Sequence, residues 1–219
     1  MMTKAASMKK LLSPFLLPVL AALIAGCSAL PDKPQRPVQY DFGPGPTAPQ
    51  AATRIAPLPT IALAEIETSS ALDGNSILYR LGYADAQQLK PYALARWSAP
   101  PPQLVRQRVR EVLGQRRTVL STDEAGTLAR VGGALPLTLR LELEEFSHLF
   151  TAPGESVGLI RLRATLVESQ PGGDRLIAQR SVIAQRPAVS PDAAGGVRAL
   201  AAATDAAVED IGQWLQQAR

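Results

Sequence analysis

The clearest pattern in this chain is a strict alternation of leucine with polar residues over positions 137–144. Leucine occupies every odd position of this run, and Thr, Arg or Glu occupies every even one. Successive side chains of a strand point to opposite faces of a sheet, so the run predicts a strand with one buried and one polar face. Residues 160–166 repeat the alternation, and residues 176–185 follow a Pro-Gly-Gly-Asp turn. Together the three segments predict an antiparallel meander.

Shorter segments of similar character come before the meander. The predicted strands are 38–42, 60–68, 77–83, 88–95 and 118–121. Asp73-Gly74-Asn75 predicts a turn ahead of the third of them, and residues 123–126 predict another turn after the last. The proline-rich residues 43–59 predict a loop or an exposed edge.

Two further segments follow the helical period. After three consecutive prolines, the apolar residues from Leu104 to Leu113 fall on one stripe, and arginines occupy the opposite face. Proline suits the first helical turn, where its missing N–H costs nothing. A second stripe with steps of three and four runs from Val197 to Leu215. The sequence therefore predicts a single-domain α/β sandwich, in which two helices pack on a mixed or antiparallel sheet.

The first 27 residues are organised differently. Three lysines precede an apolar segment, no acidic residue occurs there, and the only cysteine ends the run Leu-Ile-Ala-Gly-Cys. This order is typical of a secretory signal peptide, here ending in a lipobox. The apolar segment contains two prolines and is shorter than the ~20 residues that a membrane-spanning helix requires. We therefore expect cleavage between Gly26 and Cys27 and a lipid anchor on Cys27.

The expected organisation has three parts. Residues 1–26 form the signal peptide, residues 27–37 form the lipidated cysteine with a proline-rich tether, and residues 38–219 form the folded domain. In polyproline II form the ten tether residues after the cysteine reach roughly 30 Å, which keeps the domain close to its membrane. By resemblance to Gram-negative lipoproteins, Ser28 rather than Asp after the cysteine favours the outer membrane, facing the periplasm.

Charge adds little to this picture once the signal peptide is removed. Residues 1–26 contain three of the 23 basic residues and none of the 19 acidic ones, which leaves a net charge of about +1. A nearly neutral chain does not favour a nucleic-acid partner, because such partners select clustered positive charge. No second cysteine is present to form a disulfide bond.

Candidate chemistry is sparse. The single histidine, His148, is predicted to be an ordinary residue at the end of a strand, and it lacks obvious partners for a metal site. Glu142, Glu144 and Glu145 form an acidic run, and alternation places the first two of them on a solvated face, so the run is predicted to serve solubility. The sequence contains no nucleophile elbow, phosphate-binding Gly-Lys loop or H-E-x-x-H pair, and the Gly-x-Gly-Pro at residues 43–46 lacks the helix of a dinucleotide site. We therefore predict a protein that is not an enzyme and needs no cofactor or metal.

Three segments resemble a known family. They are Tyr40-Asp41-Phe42-Gly43-Pro44, Asn75-Ser76-Ile77-Leu78-Tyr79-Arg80, and Tyr92 followed by Arg96-Trp97-Ser98-Ala99-Pro100-Pro101. This combination resembles the auxiliary lipoproteins of ABC-type transport systems, the PqiC/YmbA-like family. Phe42 stands where leucine is commoner in that family.

The resemblance implies a function and a set of partners. It implies a lipoprotein that serves a permease, an ATPase and an MCE (mammalian cell entry) protein, moving lipids between the inner and outer membranes. It also implies a fold similar to the N-terminal domain of TolB, and possible homo-oligomers. A second hypothesis is a lipoprotein that activates a cell-wall synthase through similar architecture.

Two interpretations stay open for the residues that carry the resemblance most specifically. Tyr79, Arg80, Arg96 and Trp97 either lock the junction between strand and helix or form a surface that binds a partner. Aromatic and arginine side chains are enriched at binding hot spots, which is the argument for the second interpretation.

Overall fold

The computed structural model of the chain describes residues 35–45, 58–130 and 135–218. The strands are β1 (Val38–Tyr40), β2 (Leu58–Leu63), β3 (Glu67–Thr68), β4 (Ser76–Leu81), β5 (Ala86–Trp97), β6 (Arg117–Ser121), β7 (Leu137–Ala152), β8 (Glu155–Gln170) and β9 (Gly173–Pro187). The helices are α1 (Gly82–Asp85), α2 (Pro101–Gly114), α3 (Thr122–Arg130) and α4 (Ala193–Gln217). The described residues from Pro37 onward form one compact unit. The predicted cleavage site between Gly26 and Cys27 lies outside the described residues.

The long strand β7 organises the sheet. One of its edges pairs antiparallel with β8, which in turn pairs antiparallel with β9. Its other edge pairs in parallel with β2, β3 and β4 in succession. Beyond these strands, β6 pairs with β2, and β5 and then β1 continue from β4. The predicted meander and the mixed α/β sheet are therefore confirmed.

The alternation along β7 separates a buried face from a polar one. Leu139, Leu141 and Leu143 are buried, as are the residues opposite them on β8. On the polar face Glu144 lies 2.9 Å from the Arg161 guanidinium, in an ion pair across the two strands. The acidic cluster of β7 thus lies opposite basic residues of the neighbouring strand.

The two predicted helices cover the buried face. Helix α2 begins at Pro101 and buries the stripe that the sequence predicts. Helix α4 begins after Asp192, whose carboxylate accepts from the Gly195 amide at 2.7 Å and so satisfies one free N–H of the first turn. At Gly158 the β8 backbone lies so close to α4 that a Cβ there would be 2.4 Å from the backbone nitrogen of Leu200.

Three local predictions are wrong in the type or extent of an element, and the strand predicted for 38–42 also ends early, at Tyr40. Residues 123–126 lie in α3 rather than in a turn, because Ser121 and Glu124 form a capping box: the Glu124 carboxylate accepts from the Ser121 amide at 2.6 Å. Residues 60–68 form two strands. Leu63 is opposite Leu139 and Glu67 is opposite Glu142, so this part of the chain is one residue longer than the part of β7 beside it, and the pairing is interrupted. The strand predicted for 77–83 ends at Leu81, and α1 follows it directly.

The close approach at Gly158 generates a prediction. Gly158→Ala should lower the free energy of unfolding by about 3 kcal/mol, because the added methyl group meets helix backbone that cannot rotate away. Gly172→Ala is the matched control, since a Cβ at Gly172 meets no atom within 4 Å. Urea denaturation of the two variants measures the difference, and equal stabilities would show that α4 does not press on β8.

Candidate functional site

The three segments that carry the family resemblance meet at one corner of the sheet. We call residues 40–44, 75–80 and 96–101 together the motif corner. Tyr40 of β1 is opposite Trp97 of β5, and the Ser98 amide donates to the Tyr40 carbonyl at 2.8 Å. The Trp97 amide donates to the Asn75 carbonyl at 2.7 Å, and the Asn75 side chain donates back to the Trp97 carbonyl at 3.1 Å. The backbone of Trp97 therefore connects to both other segments.

The indole of Trp97 fills the interior of this corner. Its exposure is 1%. Phe42 meets the Trp97 ring edge-on, with centroids 5.7 Å apart and an interplanar angle of 89°, and Phe146 of β7 lies 5.6 Å from it. Edge-on aromatic pairs contribute about 0.5–1.5 kcal/mol beyond the area they bury. In this fold the Trp97 ring therefore holds its neighbours in place and is not itself available to a partner.

Arg108 of α2 fixes the chain that enters the domain, residues 38–45, which we call the N-terminal segment. The Arg108 guanidinium donates to the Phe42 carbonyl at 2.8 Å, and its carbon lies 6.0 Å from the centre of the Phe42 ring. The same group is 3.3 Å from Glu111 and 3.2 Å from Asp205 of α4. Burial raises the pKa of Asp205, and the charge of Arg108 opposes that rise. One arginine thus links the N-terminal segment to both long helices.

Two glycines give the N-terminal segment its path. Gly43 has a φ of +76° and donates its amide to the Asp41 carboxylate at 2.8 Å. Gly45 has a φ of +65°, and a Cβ there would be 3.2 Å from the Glu111 carboxylate. Only glycine adopts such conformations readily. The Gly-x-Gly spacing therefore serves a turn beside α2.

Shallow grooves flank the N-terminal segment on both sides. One groove of about 160 Å³ lies between this segment and α2, and its lining includes Leu104 and Arg108. The other, of about 510 Å³, lies between the segment and α4, and its lining includes Tyr40 and Arg198. Arg198 is exposed. The outer rim of the motif corner therefore offers the partly exposed Tyr40 and the exposed Arg198 to solvent.

The other candidate residues make internal contacts. Arg80 forms a two-pronged ion pair with Glu145, at 3.2 and 3.0 Å, and also donates to the Ala86 carbonyl at 3.0 Å. Arg96 donates to the carbonyls of Ala95 and Tyr92 on its own strand. The structure thus brings Arg96 and Trp97 to the edge that meets the N-terminal segment, whereas Arg80 faces β7.

His148 is not at a strand end, and that prediction is wrong. It lies inside β7 and is fully buried. Its Nδ1 is 2.8 Å from the Tyr92 hydroxyl and its Nε2 is 2.7 Å from the Ser156 hydroxyl. A Cβ on Gly196 of α4 would be 2.4 Å from Nδ1, so the helix closes over the ring. Burial lowers the pKa of His148 to about 4, partly opposed by nearby Asp192, and raises the pKa of Tyr92.

Sequence reasoning missed this buried chain of hydrogen bonds, although one signal for it exists. Phe146, His148 and Phe150 alternate with other residues, as inward-facing positions do. Tyr79 also belongs to this cluster, with its ring centroid 4.7 Å from that of Tyr92. Because helix and sheet cover the histidine, we interpret the cluster as packing of the core.

Within the described parts of the chain, no three His, Cys, Asp or Glu side chains are placed to hold a metal ion. Over the same residues, no helix has both the length and the apolar character needed to cross a membrane.

Comparison with known protein families shows to which family the chain is related. Residues 40–212 match the ABC-type transport auxiliary lipoprotein component family. The chain belongs to this family. The matched range includes the whole motif corner and ends within α4. Members of this family are auxiliary lipoprotein components of transport systems. This chain therefore has an auxiliary lipoprotein role, is associated with a transport system and is located in the cell envelope.

Solved structures support the fold of this auxiliary lipoprotein. The crystal structure of protein XCC0632 from Xanthomonas campestris is 16% identical, with a TM-score of 0.62, over 84% of this chain and 95% of that one. A second crystal structure, of an uncharacterized protein, is 14% identical with a TM-score of 0.58, over 83% of this chain and 99% of that one. At these identities the likeness shows the fold alone. No curated protein matches the chain.

The buried His148 predicts how stability of this auxiliary lipoprotein depends on pH. Its pKa is about 4 in the folded state and 6.5 in a model peptide, so the unfolded chain binds the proton more readily. The neutral histidine's contribution to the free energy of unfolding is complete above pH 6.5. It is lost as pH falls toward 4, which lowers the free energy of unfolding by about 3 kcal/mol over that range.

Urea denaturation of the parent chain and of His148→Asn at pH 7 and pH 4.5 isolates this contribution. Carboxylates titrate in both chains, so the difference between the two pH dependences reports the histidine. We expect a steeper loss of stability in the parent chain. Parallel losses in both would mean that His148 is solvated and titrates normally.

Proposed function

We propose that this chain is an outer-membrane-anchored periplasmic lipoprotein subunit of an MCE-type ABC transport system. In this proposal the system moves lipids between the inner and outer membranes and so supports the integrity of the envelope, and this subunit is not an enzyme. The family match over residues 40–212 is the observation that carries the proposal, because the family is defined as an auxiliary transport component. The lipobox at Cys27 supports the anchor.

The length of the tether supports a docking role over a shuttle that crosses the periplasm. Residues 28–37 reach roughly 30 Å at most in polyproline II form, so a lipid on Cys27 confines the domain to the membrane surface. The N-terminal segment then continues directly from the tether into the motif corner, where Arg108 and the Trp97 ring hold Phe42. A subunit confined in this way suits a fixed partner that reaches the same membrane.

We further propose that the MCE-domain partner contacts the rim of the motif corner. Trp97 is buried, so the residues able to touch a partner directly are those around it, above all Arg198 on α4 and Tyr40 on the N-terminal segment. Arginine and tyrosine are favoured at interface hot spots. Arg96 and Trp97 act in this proposal by positioning that rim, whereas Tyr79 and Arg80 hold β4 to β5 and β7.

Co-purification tests the proposal. The lipidated chain is recovered from solubilised envelopes, and the MCE-domain, permease and ATPase subunits are detected in the same complex. We expect the parent chain to retain the MCE-domain protein. With Arg198→Glu, the amount of MCE-domain protein recovered should fall at least tenfold, because the substitution reverses an exposed charge at the rim. Arg116→Glu, which changes an exposed arginine two residues beyond the end of α2, is the matched control.

Two results would count against the proposal. Reproducible absence of an MCE-domain protein from the complex, with the lipoprotein folded and lipidated, would overturn the partnership. If Arg198→Glu retained as much MCE-domain protein as the parent chain, the contact would have to lie outside the rim. Cys27→Ser tests the anchor separately. We expect this variant to be absent from the outer-membrane fraction. Unchanged localisation would show that Cys27 does not anchor the chain.

A further inference from the structure

The ring of His148 lies directly beneath residues 193–198, which we call the α4 start. A Cβ added to Gly196 would be 2.4 Å from the Nδ1 atom of the ring, so helix backbone and imidazole are in contact. On β8, Gly158 is opposite His148, and a Cβ there would be 2.4 Å from the Leu200 backbone nitrogen. The first turns of α4 therefore rest on this pair of residues from β7 and β8.

The hydrogen bonds around His148 suit a neutral ring. A neutral imidazole has one donor and one acceptor nitrogen, and the hydroxyls of Tyr92 and Ser156 can match both of them. An imidazolium has two donors and no acceptor, so both hydroxyls would have to accept, and their own protons would lose the ring as a partner. Protonation therefore breaks the match between the ring and its neighbours.

A positive charge on His148 would also lie at the unfavourable end of a helix. The first turn of α4 has free N–H groups and carries partial positive charge. Asp192, in the turn before α4, favours the protonated ring, but the opposing effect of burial is larger. Arg198 of α4 in turn attracts Asp192. The titratable groups of the other strands, Tyr92 on β5 and Tyr79 on β4, are phenols that stay neutral at acidic pH.

The α4 start is weakly held. Its sequence is Ala-Ala-Gly-Gly-Val-Arg, and glycine is among the poorest helix formers. Val197 is the one large apolar side chain that this six-residue stretch buries. The later turns of the helix bury Val208, Ile211, Trp214 and Leu215. The α4 start can therefore leave the sheet at a lower cost in free energy than the whole helix.

We propose that His148 is an acid-sensitive latch: when its ring takes up a second proton, the α4 start separates from the sheet while β7 and the later turns of α4 stay folded. Separation admits water to the ring, which solvates the imidazolium and relieves the unmatched hydrogen bonds and the unfavourable helix dipole. The pH dependence described above concerns the stability of the whole chain, whereas the latch identifies the part that opens first.

Opening would alter the groove between the N-terminal segment and α4. Val197 and Arg198 line that groove, and both belong to the α4 start. If the rim binds the MCE-domain protein, which rests on the proposed function above, acid would weaken that contact. The latch itself involves no partner. Its failure would leave the proposed function untouched, and absence of the partner would leave the latch untouched.

Hydrogen exchange of the full lipidated chain in detergent, read by mass spectrometry, tests the latch. The amides of residues 196–200 bond to carbonyls within residues 192–196, so their exchange reports opening of the α4 start. Each rate is divided by the intrinsic rate at the same pH, which yields the opening constant. Peptides from residues 207–215 and from the centre of β7 are references within the same molecule.

The parent chain should open more readily as pH falls below 6.5, the pKa of a solvated histidine. Between pH 7 and pH 4.5 we expect the opening constant of residues 196–200 to rise about 50-fold, with no comparable rise in the two references. Between pH 6.5 and 5.5, where solvated carboxylates do not titrate, the rise should be about fivefold.

Two variants assign the proton. His148→Asn should remove the rise, because its side chain does not titrate. Glu142→Gln is the matched control, since it removes a half-exposed titratable group from the polar face of the same strand, and it should keep the rise.

Several results would overturn the latch. One is an opening constant that stays level from pH 7 to pH 5 in the parent chain. Another is a rise shared equally by the references, which would mean global unfolding. A rise of the same size in folded His148→Asn would assign the proton to a different group. Should that variant not fold, the parent profile decides alone, because a rise that begins below pH 6.5 requires a histidine and His148 is the only one in the chain.

Discussion

The packing around Trp97 is the interaction on which the rest of the structure depends. Trp97 ends β5, its backbone bonds to the turn before β4 and its ring contacts the N-terminal segment and β7. Pro100 and Pro101 follow almost at once and begin α2, which carries Arg108 back to Phe42. Five parts of the chain are thereby held at one point, including the N-terminal segment.

Much of the fold could be predicted from side-chain pattern. The meander and the two long helices were predictable because each buries one face against one neighbour, so period alone identifies the inward positions. The helix at α3 was not, because its apolar stripe is short and its start depends on a capping box whose Ser and Glu also suit a turn.

The candidate site was only partly predictable, and the reason is a bulge in β7. Leu143 is opposite Leu162 and Glu145 is opposite Arg161, so Glu144 is an extra residue. Before Glu144 the odd-numbered positions of β7 face inward, and after it the even-numbered positions do. This change turns Phe146 toward Trp97 and buries His148. Simple alternation extended through the bulge places these residues in solvent, because a one-residue shift exchanges the two faces of a strand. The three segments of the resemblance were visible in the sequence, but their convergence depends on pairings between distant strands.

The same packing connects structure to role. A lipidated cysteine by itself anchors a chain without orienting it. Here Phe42 and Arg108 pack the N-terminal segment against the core, beside the rim of the motif corner. If Cys27 carries the proposed lipid anchor, the tether joins the domain beside the rim that we propose as the partner's contact.

The central claim is that the N-terminal segment is part of the cooperative core and not a loosely attached leader. Native-state hydrogen exchange of the Ser98 amide tests it most directly, since that N–H donates to the Tyr40 carbonyl at 2.8 Å. The account predicts that this amide exchanges only with global unfolding, with the same free energy as amides in the centre of β7. Exchange of the Ser98 amide at much lower free energy, while β7 stays protected, would contradict it.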